Sequence, residues 1–299
     1  KLNSELDTIL SQPITLSFED FSVDIEPNHI TGIIGRNGQG KTTLMNLIAG
    51  KFEPDEGIIE IDGKNPVTDI GTAKRIVYVA GVMSYSEMKL KKIIEEYRLM
   101  YEKFDEEFAH KLMELFGLNK KAKIKNLSKG QETIFNYCCG MATRADITIL
   151  DEPVSGVDAI SRNKIYEIIL RDYIEHPRTI LISSHMLGEM EKILSHMIMI
   201  GNNDVLFAGD IEELKDSVYR VDGELANIEK YCEEKKVLYK KNQTLGAMAV
   251  IEGRLDKEEA EKADELELAT SKLSGEEIYM YKTDLKNANQ MEALWEKKN

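Results

Sequence analysis

Gly35, Arg36, Asn37, Gly38, Gln39, Gly40, Lys41 and Thr42 form one continuous run that follows an apolar stretch at residues 30–34. The run opens residues 41–49, whose apolar side chains recur at helical spacing. A strand that feeds a glycine-rich turn, which in turn starts a helix, is the context that a phosphate-binding loop requires. The glycines let the backbone curl closely around an anion, and the amides at the helix start point inward where the helix dipole favours negative charge. In this pattern Lys41 brings a cation to the β- and γ-phosphates of a nucleotide, and the Thr42 hydroxyl is a ligand for Mg²⁺.

The surrounding sequence predicts an α/β fold. Short β-branched runs at residues 58–61, 76–79, 147–151, 179–183, 197–200 and 204–208 alternate with helical stretches near residues 159–175 and 186–194. The opening differs: Ile14, Leu16 and Phe18, then Phe21, Val23 and Ile25, alternate with polar residues as in a half-buried antiparallel sheet. Residues 87–144 carry no strand pattern. Ile93, Ile94, Tyr97, Leu112, Leu115 and Phe116 recur there at helical intervals, so a helical subdomain is expected at about residues 84–145. From residue 211 short strands near Val218, Val237, 247–251 and 266–269 alternate with charged helices. The β-α-β-β-α-β order suggests a small ferredoxin-like module at residues 211–299, distinct from a first domain at 1–210. Ser274 and Glu277 form a capping box for a last helix.

Composition narrows the partners. With 53 acidic and 39 basic side chains, the net charge is −14, which disfavours an extended nucleic-acid or anionic-lipid surface. No apolar run reaches the roughly 18 residues of a membrane span, and the start of the sequence lacks the layout of a signal peptide. Cys138, Cys139 and Cys232 have neither disulfide-framework nor metal-site spacing, which points to a reducing compartment.

A second chemical signal is the apolar run Ile147, Thr148, Ile149, Leu150 ending in Asp151 and Glu152. Two carboxylates at the end of a buried strand suit one group that holds Mg²⁺ through its water shell, Asp151, and one that takes a proton from an attacking water, Glu152. Between this strand and the phosphate loop lie Leu127, Ser128, Lys129, Gly130 and Gln131. After it come Ser155, Gly156, Val157 and Asp158, and a lone His185 follows residues 179–183.

These segments, in this order, resemble the ATP-binding subunit of an ABC transporter over residues 14 to about 210. The resemblance implies a P-loop ATPase of ABC type, hydrolysing ATP with Mg²⁺, that works as a head-to-tail pair of two copies. It further implies that Gly35 to Thr42 and Thr43 hold ATP, while Thr42 and Asp151 serve the metal. Glu152 and His185 would be catalytic. Ser128, Gly130 and Gln131 would face the nucleotide of the second copy, with Asp158 supporting that contact. The other expected partner is a separate transmembrane permease, with this chain on the cytoplasmic face of the cell membrane. A cytoplasmic helix of the permease would dock on residues 81–116, where Tyr85, Met88, Tyr97, Met100 and Tyr101 suit adaptable contacts.

The run from residues 182 to 190 and the close at 201–214 resemble exporters of drugs, lantibiotics and amphipathic peptide toxins, including phenol-soluble modulins. The alternative class is a soluble ABC-type ATPase acting on ribosomes or DNA, usually with tandem nucleotide domains or a long coiled-coil insertion. One phosphate loop and no extended heptads are found here. A P-loop kinase or GTPase leaves residues 127–131 and His185 unexplained.

The sequence also departs from the pattern. Gly81 stands where most relatives have a glutamine that contacts the metal, so that ligand is either absent, with another water in its place, or replaced by Ser84 or Glu87. Lys129 stands at a signature position that is commonly glycine, and its side chain is expected to face solvent. No aromatic residue precedes Phe18, so no adenine platform is assigned.

Overall fold

The computed structural model describes residues 14–17, 22–81, 87–185, 187–201, 204–243 and 246–283. By its internal contacts the chain divides into two compact units, residues 1–208 and 209–299. The first begins with β1 (Ile14–Ser17), β2 (Ser22–Ile25), β3 (Ile30–Ile34), α1 (Lys41–Ile48), β4 (Ile58–Ile61), α2 (Ile70–Ala73) and β5 (Ile76–Val79). Three helices follow: α3 (Leu90–Met100), α4 (Glu106–Leu115) and α5 (Lys129–Ala142). The chain then runs through β6 (Ile147–Asp151), α6 (Ala159–Glu175), β7 (Thr179–Ser184), α7 (Leu187–Met190), β8 (His196–Gly201) and β9 (Asp204–Asp210).

The main sheet has the order β5-β6-β7-β3-β8-β9, and β5, β6, β7, β3 and β8 pair in parallel. Every residue of β3, β6 and β7 is buried, as expected for strands covered on both faces. A three-stranded antiparallel sheet, β2-β1-β4, places Ile14 opposite both Ile25 and Ile61. These side chains join Met45 and Ile48 of α1 and Ile33, Ile149 and Leu181 of the main sheet in one core, so α1 is clamped between the two sheets. Burying each such side chain contributes about 1.5–3 kcal/mol, which fixes where the loop before α1 must sit. Phe18 and Phe21 lie outside the described residues.

Between β5 and β6 the described residues hold helices and one isolated bridge, Lys89 with Lys123. Helix α5 is buried over residues 133–142 and packs on α4, β5 and β6. A Cβ on Gly140 would stand 2.1 Å from the Val79 side chain, so the helix lies as close to β5 as a side-chain-free position allows. Arg178 and Arg144 share the buried Asp172, and Arg144 also reaches Asp105 at the start of α4. The stretch at 186–194 is broken: α7 is short, and a 3₁₀ turn, Glu191–Ile193, follows it.

The second unit comprises α8 (Ile211–Asp216), β10 (Val218–Gly223), α9 (Leu225–Cys232), β11 (Lys236–Gln243), β12 (Gly246–Glu252), α10 (Lys257–Glu265), β13 (Ala269–Lys272) and α11 (Gly275–Thr283). Its sheet, β11-β12-β10-β13, is antiparallel throughout. Tyr219, Val221, Ile228, Tyr231, Ala249 and Ile251 centre its core. The strand expected at 266–269 starts only at Ala269. Glu267 adopts φ 53°, its amide bonds back to Asp264, and the Leu268 amide bonds back to Ala263. Residues 266–268 therefore close α10 in a Schellman arrangement, with glutamate where glycine is usual, and this hid the helix end from the sequence pattern.

Glu259 in α10 accepts hydrogen bonds from Lys235 and from the Tyr231 hydroxyl. The Lys235 bond is the main cause that lowers its pKa from 4.5 to about 2. A carboxyl depressed in the folded state contributes stability above its unfolded value and loses it as pH falls through the folded one. Acid unfolding of the second unit should therefore steepen between pH 4.5 and about 2. Glu259→Gln should flatten that dependence, and an unchanged pH profile of its denaturation midpoint would contradict the assignment.

Candidate active site

The phosphate loop is held by its two flanking elements. Gly38 and Gly40 have φ of 82° and 87°, the left-handed region that glycine enters without steric cost. A Cβ at either position would meet no atom within 4 Å, so it is backbone conformation and not crowding that calls for glycine there. Lys41 is buried, and its Nζ donates to the carbonyls of Gly35 at 2.5 Å and Arg36 at 3.2 Å. Its charge is thus stored inside the loop. Thr42 and Thr43 are exposed on the first turn of α1, as are Arg36 and Asn37 in the loop, while Gln39 is half-buried.

Strand order brings the acidic residues alongside. β7 lies between β6 and β3, and Asp151 pairs in register with Ser183 while Ile34 pairs with Ser184. The Ser183 hydroxyl is fully buried. It donates to Asp151 Oδ1 at 2.5 Å and accepts from the Glu152 amide at 2.9 Å. Glu152 itself has φ 51°, a conformation that costs a non-glycine residue about 1–3 kcal/mol and that clusters at functional sites. His185 Nδ1 donates to Glu152 Oε2 at 2.8 Å, a bond that orients the ring against the carboxylate. Thr42 and Asp151 offer only oxygen donors, the ligand type that suits Mg²⁺.

Ser128, Gly130 and Gln131 start α5 and meet the turn at 155–158. Ser128 caps the helix: its Oγ accepts from the Gln131 amide at 3.2 Å, and Gln131 Oε1 accepts from the Ser128 amide at 3.0 Å. A Cβ on Gly130 would lie 2.4 Å from the Gly156 carbonyl oxygen, and Thr133 Oγ1 donates to the Ser155 carbonyl at 3.2 Å. The segment and the turn are therefore one packed piece. Asp158 caps α6 through the Ile160 and Ser161 amides, bonds that hold its carboxyl below the usual range.

Residues 18–155, from before the phosphate loop to the turn after Glu152, match the family model described as ABC transporter. The first unit is an ABC-type ATP-binding domain. Over 204 residues it is 29% identical to the ABC transporter ATP-binding protein YtrB of Bacillus subtilis, covering 68% of this chain and 70% of that protein. It is 28% identical to the ABC transporter ATP-binding protein NatA of the same organism, covering 68% of this chain and 86% of the relative. Its fold matches a solved ATP-binding subunit of an ABC transporter with TM-score 0.62 at 21% identity, covering 68% of this chain and 92% of the other.

Several expectations for the ABC domain change. Glu87 does not replace the absent glutamine: its carboxylate is held by Lys123 and Lys125 at 3.1 and 2.8 Å, which lowers its pKa. Ser84 and Tyr85 lie outside the described residues. Tyr97 and Tyr101 stack on each other with centroids 5.9 Å apart, and Tyr101 reaches the Ile76 carbonyl, so both serve packing. Met100 is exposed, as is its neighbour Leu99. Lys129 is exposed as well. Three residues of the site escape sequence reading: Ser183, Tyr78 and Lys51. Tyr78 donates to Asp151, and Lys51 lies over the Tyr78 ring. None belongs to a spaced motif, and each is identified only by its neighbours.

The Gly130 contact is directly testable. Gly130→Ala should push the turn at 155–158 away and cost about 1–3 kcal/mol, the range for overpacking a filled site. Melting that matches the unaltered protein would show that the close approach is absent.

Proposed function

We propose that this chain hydrolyses ATP as a head-to-tail pair and uses the closing and reopening of that pair to drive a membrane transporter. The observation that carries the reading is the Glu152–His185 pair at 2.8 Å, fixed through Ser183 to Asp151 beside the phosphate loop. Gly35, Arg36, Asn37, Gly38, Gln39, Gly40, Lys41, Thr42 and Thr43 hold the triphosphate. Lys41 exchanges loop carbonyls for phosphate oxygens. Thr42 and Asp151 would hold Mg²⁺, which neutralises charge on the β- and γ-phosphates when bound.

Glu152 accepts a proton from water as the water oxygen bonds to the γ-phosphorus and the bond to the β-phosphate oxygen breaks, releasing ADP. His185 orients the carboxylate, so most of the acceleration comes from positioning. Ser128, Gly130 and Gln131 of one copy face the nucleotide of the other. Their helix start offers backbone amides to an anion, and the contact with 155–158 links that anion site to the strand end bearing Glu152.

The membrane partner in this reading is a separate permease. No helix among the described residues is long and apolar enough to cross a membrane. A groove of about 620 Å³ lined by Leu99, Met100, Tyr101, Arg75 and Arg144 supports docking of an amphipathic permease helix beside α3. The cargo class is a drug or an amphipathic antimicrobial or toxin peptide moved outward, a reading that rests on the runs at 182–190 and 201–214. The second unit acts as a ferredoxin-like accessory module, supported by its β-α-β-β-α-β order.

Glu152→Gln should retain ATP binding, lower turnover by about 10²–10⁴-fold as expected for loss of a general base, and accumulate an ATP-bound dimer in light scattering. Hydrolysis at the normal rate refutes the assigned base, and a strictly monomeric ATP complex refutes the paired mechanism. Lys41→Ala removes a charge-assisted bond and should weaken ATP binding by about 10–100-fold. Equal affinity in an equilibrium titration would overturn the loop assignment.

A further inference from the structure

Both oxygens of the Asp151 carboxylate accept a hydrogen bond, and the donors come from the strands on either side. Ser183 of β7 donates to Oδ1 at 2.5 Å, and the Tyr78 hydroxyl of β5 donates to Oδ2 at 2.8 Å. The reach follows from register. Tyr78 pairs with Ile149, two residues before Asp151 on the same face of β6, and only a long side chain with a terminal donor spans that offset along the strand. The phenol ring is held as well: Lys51 Nζ stands 3.3 Å from its centroid, within cation–π range. Burial and the Asp151 carboxylate raise the Tyr78 pKa, so its hydroxyl stays protonated and donating.

We infer that Tyr78, with Lys51 against its ring, is a positioning residue that fixes the orientation in which Asp151 meets the metal of bound ATP. The inference rests on Asp151 being the metal-side carboxylate. Rotation of a carboxylate about its last bond is soft, and one donor leaves it free to swing. Two donors on opposite oxygens stop that motion, and each oxygen keeps a second lone pair for a metal-bound water. Without the Tyr78 hydroxyl, Oδ2 loses its donor and the carboxylate is free to turn. Outer donors of this kind set metal affinity more than they set fold.

The test measures ATP affinity with Mn²⁺ and with a chelator in the Glu152→Gln background, where ATP is not consumed. The ratio of the two constants reports the metal's contribution, and the Mn²⁺ electron paramagnetic resonance signal reports its coordination. Tyr78→Phe should reduce the ratio by about tenfold and alter the Mn²⁺ signal while metal-free ATP affinity is kept. Lys51→Met, which retains the hydroxyl, should change the ratio much less. An unchanged ratio in Tyr78→Phe, with a reduced one in Asp151→Asn, overturns the role of Tyr78 alone. An unchanged ratio in Asp151→Asn overturns the assignment of Asp151 beneath it. A parallel loss of metal-free ATP affinity in Tyr78→Phe marks a general structural role and also overturns the inference.

Discussion

The site depends on the burial of three adjacent parallel strands, β6, β7 and β3. Their side chains are enclosed on both faces, so their carboxyl ends can neither slip nor separate without exposing a large apolar area. A slip by one residue would turn every side chain to the opposite face. The strands therefore act as fixed mounts. The loop before α1, the Asp151–Glu152 pair and His185 leave the ends of neighbouring mounts, and their spacing is inherited from the sheet.

On those mounts the polar groups are organised by one buried hydroxyl and one strained backbone. Ser183 bonds to Asp151 and to the amide of Glu152, so one hydroxyl ties together both residues of the acidic strand end. The left-handed backbone of Glu152 turns the chain away from the strand direction, and the Ser183 bond and the His185 contact hold it there. Tyr78 adds the outer support on the β5 side. A β5 side chain thus reaches the carboxylate from within its strand.

The helical region is tied to this framework at two places. Gly130 lies against Gly156 at the first turn of α5, and Gly140 lies against Val79 further along it. Arg144, Asp105, Asp172 and Arg178 form a partly buried ionic cluster that joins the start of α4 to α6 and β7. Buried ions are costly to expose and costly to leave unpaired, so such a cluster specifies one arrangement more than it adds stability. Movement of the helical region is therefore felt at the turn beside Glu152.

By itself the sequence determined what is local. The strand–loop–helix unit around Lys41, the apolar strand ending in Asp151 and Glu152, and the capping pair Ser274 with Glu277 all follow from residues a few positions apart. Backbone conformation and periodicity encode such relations directly. The tertiary structure decided what is distant: that Ser183 and Tyr78 share Asp151, that Lys51 covers Tyr78, that Glu87 is committed to Lys123 and Lys125, and that Gly130 needs its missing side chain because Gly156 lies against it. The end of α10 was hidden for a related reason, since Glu267 takes a conformation that its side chain does not advertise. Strand order sets these contacts, and it is chosen by the packing of the whole core, which no short window of residues contains.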